Sequence, residues 1–389
     1  MHAVLVRTQQ PSECASRPTF TFKDWRNGLG AQLSTLVGVW SGVLHKQAQP
    51  KDSIFGPKTP VLVPLGGLRY ANKARCPRRD LSCYFEPFTT CEATPDARKA
   101  KPAKTPPGLA ERISGELSLR RTRDKAWFRK ELMRYVFRPN AAVRSMLDRV
   151  HAEMGLRAPA APSTTATASD GSPQQPQQQP QQQPQKEGWV STDQLVAIHV
   201  RRGDKRDLGA KERGEPFSDM MYVQAANALA DELGASGFLL ASSEPSTLKR
   251  LPELLMPRPT FIMPAEYFVQ VPEGLTPHQV IEKTKQEAGH NDEGMSQIVQ
   301  LLLLAECRAF LGTVTSNFGL LVTKLMSFRT TSAPVAMDLS CEGLTPMLAV
   351  EDSATETWPL SWSAKDRTRC KGYRRHEAVA ARQRRGLPT

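Results

Sequence analysis

Between residues 195 and 328, short apolar runs alternate with stretches of helical length and periodicity, and no other feature of the 389-residue chain restricts its fold as much. Leu195–Val200 (LVAIHV) reads as a buried strand and Asp219–Leu233 as a helix with Met220, Val223, Ala226 and Leu233 turned inward. Gly237–Ala241 reads as a second strand, Met295–Cys307 as a helix, Ala309–Gly312 as a third strand and Ser316–Phe328 as a closing helix. A continuously apolar strand needs cover on both faces, and strands separated by helices pair in parallel. The expected class is therefore α/β with a doubly wound parallel sheet. Ligands of such sheets bind beyond the carboxyl ends of the strands.

That rule selects three loops. HVRRGDK (199–205) follows the first strand, SSEPS (242–246) the second and TVTSN (313–317) the third. The first carries Arg201, Arg202 and Lys205, the second the carboxylate of Glu244, and the third hydroxyls and the Asn317 amide at a helix start. Together they form an expected anion-binding cleft. Arginine suits a phosphate because its planar fork makes two parallel, charge-assisted hydrogen bonds. Alternation along the strand sends Arg201 and Arg202 in different directions, so one can face a diphosphate while the other holds the loop. The competing reading of the pair is a solvated basic turn. Arg202-Gly203-Asp204 also spells an adhesion tripeptide, but it abuts a buried strand instead of crowning a loop tip, and a three-residue match carries little information.

The largest break in composition is residues 158–186, where APAAPSTTATASDGS runs into PQQPQQQPQQQPQ. With almost no apolar side chain to bury, this tract cannot offset its ordering entropy and is expected to be a disordered insertion. Its PxxP spacing at Pro173 and Pro176 fits a polyproline ligand, though an inert linker explains it as well. Upstream, Leu33, Leu36, Val37, Trp40, Val43 and Leu44 fall on one helical face after NGLG (27–30). Trp127, Glu131, Leu132, Met133, Tyr135 and Val136 belong to a second helix, stopped by Pro139. Val143, Met146, Leu147, Val150 and Met154 mark a third, with Asn140 as its N-cap. VLVPLGG (61–67) is a short strand ending in a turn.

The net charge of +13 asks for an anionic partner without choosing among nucleic acid, membrane surface and phosphorylated ligand. No RNA- or DNA-binding motif accompanies the charge, which is dispersed, so nucleic acid is the weaker choice. No run reaches the roughly 18 apolar residues of a membrane span, and MHAVLVRTQQ is too short in apolar residues for a signal peptide. The chain then reads either as cytosolic or as preceded by an anchor outside this sequence. Of the seven cysteines, Cys76 and Cys83 lack the CxxC spacing of a zinc site and read as buried thiols, disulfides being attractive only in an oxidising compartment.

HVRRGDK, followed by KERGEPF (211–217), resembles the donor motif of the α-1,6-fucosyltransferase family, HVRRTDK followed by Glu and Phe. NGLGAQL resembles that family's glycine-rich helix start, and RYA (69–71) and FEPFTTC (85–91) resemble its RYA and FRPxxxTC segments. WFRKELMRYVFRPN (127–140) is similar to WWxxQFxKYLIRPQ, LASSEPSTLK (240–249) to LATDDPSLLK, and FLGTVTSNFG (310–319) to FLVCTFSSQV. These matches keep their order from about residue 14 to residue 330.

The resemblance implies a GT-B-like architecture: an open-sheet α/β N-terminal domain over residues 14–157 and a Rossmann-type doubly wound domain over 187–340. A basic, partly disordered tail would occupy 341–389. It implies metal-free transfer of fucose from GDP-fucose, with inversion, to the core GlcNAc of an N-glycan or glycoprotein acceptor. By position, Arg201 would meet the β-phosphate and His199 would help hold the guanosine. Arg202, Asp204 and Lys205 would complete the loop, with Lys205 in a relay to the base. Tyr222 would make a donor contact, and Ser316 and Asn317 would hold diphosphate and acceptor. Cys14 and Cys91 would form a disulfide. Members of the family are Golgi type II membrane proteins, so the chain would be a lumenal portion, an incomplete gene model or a divergent form.

The sequence departs from the family in three places. The stretch from Lys205 to Phe217 is longer, leaving both Glu215 and Glu212 as catalytic-base candidates, with Glu215 favoured by its proximity to Phe217. Ser243-Glu244 replaces an acidic pair that helps bind acceptor. The aspartate that reads guanine is replaced by a glutamine, Gln300, or after a small shift by Gln297 or Glu293.

Overall fold

The computed structural model describes residues 5–6, 9–14, 19–22, 29–30, 33, 36–37, 40, 61–64, 68, 71, 73–91, 131–159, 188–201, 217–267, 292–312, 316–329, 335–339 and 346–347. The strands are β1 (Thr19–Phe22), β2 (Val61–Pro64), β3 (Leu156–Arg157), β4 (Val190–Ser191), β5 (Leu195–Val200), β6 (Gly237–Ser242), β7 (Thr260–Ile262), β8 (Ala309–Gly312), β9 (Val335–Asp338) and β10 (Pro346–Met347). The long helices are α1 (Ala141–Met154), α2 (Asp219–Leu233), α3 (Pro245–Leu255), α4 (Glu293–Glu306) and α5 (Asn317–Arg329).

Six strands form one sheet in the order β10-β9-β8-β5-β6-β7, parallel throughout except for the β9–β10 pair. Chain order runs outward from β5 to β7 and then returns to β8 on β5's other side. This is a doubly wound α/β arrangement, compatible with a Rossmann-like sheet, and it puts the topological switch point between β5 and β8. The register aligns Leu195 with Gly237, Val200 with Ser242 and Ile198 with Leu311. The three strands read from the sequence are all present. β7 and β10 are too short to give a periodic signal, and β9 also lies outside the sequence reading.

The side-chain alternation of β5 divides the core. Leu195 and Ala197 join the cluster that contains α4 and α5, whereas Val196, Ile198 and Val200 join the cluster under α2 and α3. Every residue of β5, β6 and β8 is buried, as a strand covered on both faces must be. The inward face of α2 differs from expectation. Tyr222, Val223, Ala225, Ala226, Leu229 and Ala230 are buried, but Met220 is 50% exposed and Leu233 only partly buried. The first turn of α2 is rotated so that Tyr222 and Val223 take the core positions.

The cluster on the α4/α5 face also takes in α1, Leu33, Leu36, Val37, Trp40, Tyr84, Phe85 and the 132–137 segment, drawing residues from both sides of the 158–186 tract. Trp40 and Tyr135 pack at 5.7 Å between ring centroids, and Phe85 and Phe137 edge-on at 5.3 Å, contacts worth about 0.5–1.5 kcal/mol each beyond the area buried. The Tyr135 hydroxyl donates to the Phe88 carbonyl at 2.5 Å, and burial pushes its phenol up to about 12 despite Arg138 over its ring. Asn140 caps α1 by accepting from the Val143 N–H at 3.0 Å. Its own amide donates to the carbonyls of Ser82 and Cys83 at 3.2 and 2.9 Å. α1 crosses α4 with His151 Nε2 2.8 Å from Glu306 Oε2, both buried.

Cys14 and Cys91 are joined by a disulfide beside Val61 and Val63, with 5.4 Å between Cα atoms. Cys76 and Cys83 are also joined, correcting their reading as free thiols: the 3-10 turn Leu81–Cys83, capped by Asp80, folds the chain back and brings their Cα atoms to 5.7 Å. Among the described residues, no helix is long and apolar enough to cross a membrane.

Candidate functional site

His199 ends the buried part of β5 on the α4/α5 face, and α5 lays the ring of Phe318 on it at 4.8 Å between centroids and 34° between planes. Gly312, closing β8, stands where a Cβ would lie 2.8 Å from the Phe310 ring and 3.2 Å from the His199 carbonyl oxygen. A side chain at Gly312 would press on the Phe310 ring and stand tightly against β5. Burial, with the Arg201 guanidinium adding to it, lowers the imidazole from its ordinary value near 6.5 to about 3. His199 is therefore neutral at physiological pH, and its Nδ1 has no hydrogen-bond partner among the described residues.

Arg201 is the next residue but one, partly buried, at the point where β5 leaves the sheet. The continuation of the strand's alternation puts it on the His199 side. On the other bank of the switch point, Ser316 is 2% exposed, and its carbonyl accepts the Leu320 N–H at 2.9 Å to start α5. A neutral imidazole, a guanidinium and a helix N-terminus thus lie at one carboxyl edge of the sheet. This is an arrangement suited to a planar ring and an anion.

The second loop is organised differently. Glu244 N–H donates to Ser242 Oγ at 3.1 Å, and Thr247 Oγ1 donates to the Glu244 carboxylate at 2.9 Å. Glu244 is thus turned back onto the first turn of α3, with Ser243 partly buried beside it. Tyr222 is 1% exposed within the cluster beneath α2. On α4, Glu293, Gln297 and Gln300 are spaced i, i+4, i+7 along the helix's less buried face. Gln297 Nε2 donates to Glu293 Oε1 at 2.6 Å.

Arg202, Asp204, Lys205, Glu212 and Glu215 lie outside the described residues, as does the Asn317 side chain. Among the described residues, no three His, Cys, Asp or Glu side chains cluster as a metal site would.

Sequence reasoning missed several polar and aromatic groups at this edge. Phe318 directly follows the third loop, inside FLGTVTSNFG, and has no role in the sequence reading. Asp292, whose carboxylate accepts the Met295 N–H at 3.3 Å, could have been read as a cap from Asn-Asp-Glu-Gly preceding an apolar run. Tyr84, which donates to Asp292 Oδ1 at 2.7 Å from 208 residues away, leaves no local signal. No family model matches the chain, and no curated protein matches it either.

Proposed function

We propose that this chain is an inverting glycosyltransferase of GT-B architecture that takes GDP-fucose as donor and forms an α-1,6 linkage to the core GlcNAc of N-glycans. The observation that carries the reading is the convergence of His199, Arg201 and the α5 N-terminus at the switch point of a parallel sheet. Cleaving the bond between sugar and nucleoside diphosphate builds negative charge on the departing phosphate. A guanidinium and a helix N-terminus that are already in place stabilise that charge without reorganising during the reaction. The neutral imidazole stands beside the guanidinium without adding a competing charge, its Nδ1 unpaired among the described residues.

The remaining roles rest on the family resemblance. Glu215 or Glu212 serves as base toward the acceptor hydroxyl, and Lys205 relays its proton. Arg202 and Asp204 order the loop, Asn317 joins Ser316 at the diphosphate, and Gln300 reads guanine. Positive charge from the protein replaces a metal in this scheme. Two disulfides suit an oxidising compartment such as the Golgi lumen. One observation favours a different acceptor as the second reading: the Glu244 carboxylate is already occupied by Thr247.

The test is transfer of fucose from labelled GDP-fucose to a defined biantennary N-glycan, wild type beside Arg201→Ala. Loss of the arginine is expected to lower turnover by roughly 10²–10³-fold, the usual effect of removing a group that stabilises transition-state charge. Equal turnover in the two proteins overturns the proposal. Transfer to another acceptor supports the second reading.

A further inference from the structure

α4 runs antiparallel to the sheet strands on the face that holds His199, so its N-terminus lies at the carboxyl edge, where the crevice opens. That N-terminus is held from outside its own segment. Asp292 Oδ1 accepts the Met295 N–H and, at 2.7 Å, the hydroxyl of Tyr84. Tyr84 is fully buried, and burial together with the Asp292 charge pushes its phenol well above the ordinary value, so it remains a donor. Gly294, one residue into the helix, is packed so closely that a Cβ there would stand 2.2 Å from the Tyr84 oxygen. Both the first turn's hydrogen bonding and its steric position are thus referred to one phenol.

Tyr84 is in turn fixed on its own side. Its carbonyl accepts the Asn140 N–H at 3.0 Å, and the preceding residue, Cys83, is bonded to Cys76. From Asp292 the polar contacts continue along α4, since neighbouring Glu293 accepts from Gln297 and Gln300 follows on the same helix face.

We propose that Tyr84 is a positioning residue for nucleotide selection: its hydroxyl sets the N-terminal turn of α4 and, through it, the Glu293–Gln297–Gln300 face to which the proposed function gives the reading of guanine. This rests on the reading of the crevice as a GDP-sugar site and adds a determinant from a distant segment of the chain. A purely structural Tyr84 would alter stability and leave the preference among nucleotides alone.

The experiment uses the full chain and measures GDP and UDP dissociation constants by calorimetry, taking their ratio as the readout. Tyr84→Phe removes only the hydroxyl and is expected to shrink the preference for GDP roughly fivefold or more, the scale of one mis-set hydrogen bond. Asp292→Asn retains an oxygen that accepts from both Tyr84 and Met295, so it should keep the wild-type ratio, whereas Asp292→Ala should lose it. An unchanged ratio in Tyr84→Phe or Asp292→Ala, with GDP still bound, overturns this inference alone. A wild-type chain that binds neither nucleotide overturns it together with the proposed function.

Discussion

Acid should unfold this protein in part through His199. In the unfolded chain the imidazole takes a proton near pH 6.5, but in the folded chain it does so only at about 3. Between those values the unfolded state binds the extra proton, so this contribution to stability is fully present above 6.5 and is lost as pH falls toward 3. The slope is at most about 1.36 kcal/mol per pH unit, and the whole window amounts to on the order of 5 kcal/mol. Carboxylates also titrate in this range, so the measurement must be differential. Urea midpoints followed by tryptophan fluorescence from pH 7 to 4.5 should be compared for wild type and His199→Gln. Wild type should lose about 2–3 kcal/mol more than the variant between pH 6.5 and 4.5. Parallel curves would show that the ring is solvated or partnered in solution and would refute the argument.

Gly294→Ala drives a methyl into Tyr84 and should cost about 1–3 kcal/mol in urea unfolding, with a double-mutant cycle through Tyr84→Leu recovering much of the loss. His151→Ala removes the imidazole that meets Glu306 Oε2 at 2.8 Å and should cost about 1–3 kcal/mol, while the double variant His151→Leu/Glu306→Met should return close to wild type in calorimetric Tm. The two disulfides span sequence separations of 77 and 7 residues. The chain-entropy model therefore assigns Cys14→Ser a loss of about 4.5 kcal/mol and Cys83→Ser one of about 2.4 kcal/mol, an order that reduced and non-reduced denaturation curves will test.

What could be read from the sequence was whatever is written locally. The strand Leu195–Val200, the helix Asp219–Leu233 and the Asn140 cap each follow from residues within a few positions of one another. The three strand-end loops follow from those elements by topology alone. What could not be read depends on contacts between distant segments. Met220 looks apolar enough for a core, yet rotation of one helical turn gives its place to Tyr222. Cys76 and Cys83 look like isolated thiols until Asp80 turns the chain between them. Tyr84 meets Asp292 only because α1 and α4 cross on one face of the sheet, as His151 and Glu306 do at the far end of the same helix.

The charges along the carboxyl edge bear on which helix end receives the anion. α2 begins with Asp219, which pairs with Arg250, and α3 with Glu244, which accepts from Thr247. α4 begins with Asp292 and Glu293, which accept from Tyr84 and Gln297. Each of these N-termini already carries a carboxylate that answers its dipole. α5 starts from Ser316 and, among the described residues, carries no acid at its cap or in its first turn, which leaves its N-terminal field the more open to an anionic ligand. It is also the one that lies across the switch point from Arg201. Among the described residues, an anion approaching this edge meets three helix ends that already carry carboxylates and one that does not. That selectivity supports placing a diphosphate between Arg201 and Ser316, and it makes an acid introduced at α5's first turn, such as Asn317→Asp, the change that should weaken nucleotide binding without disturbing the fold.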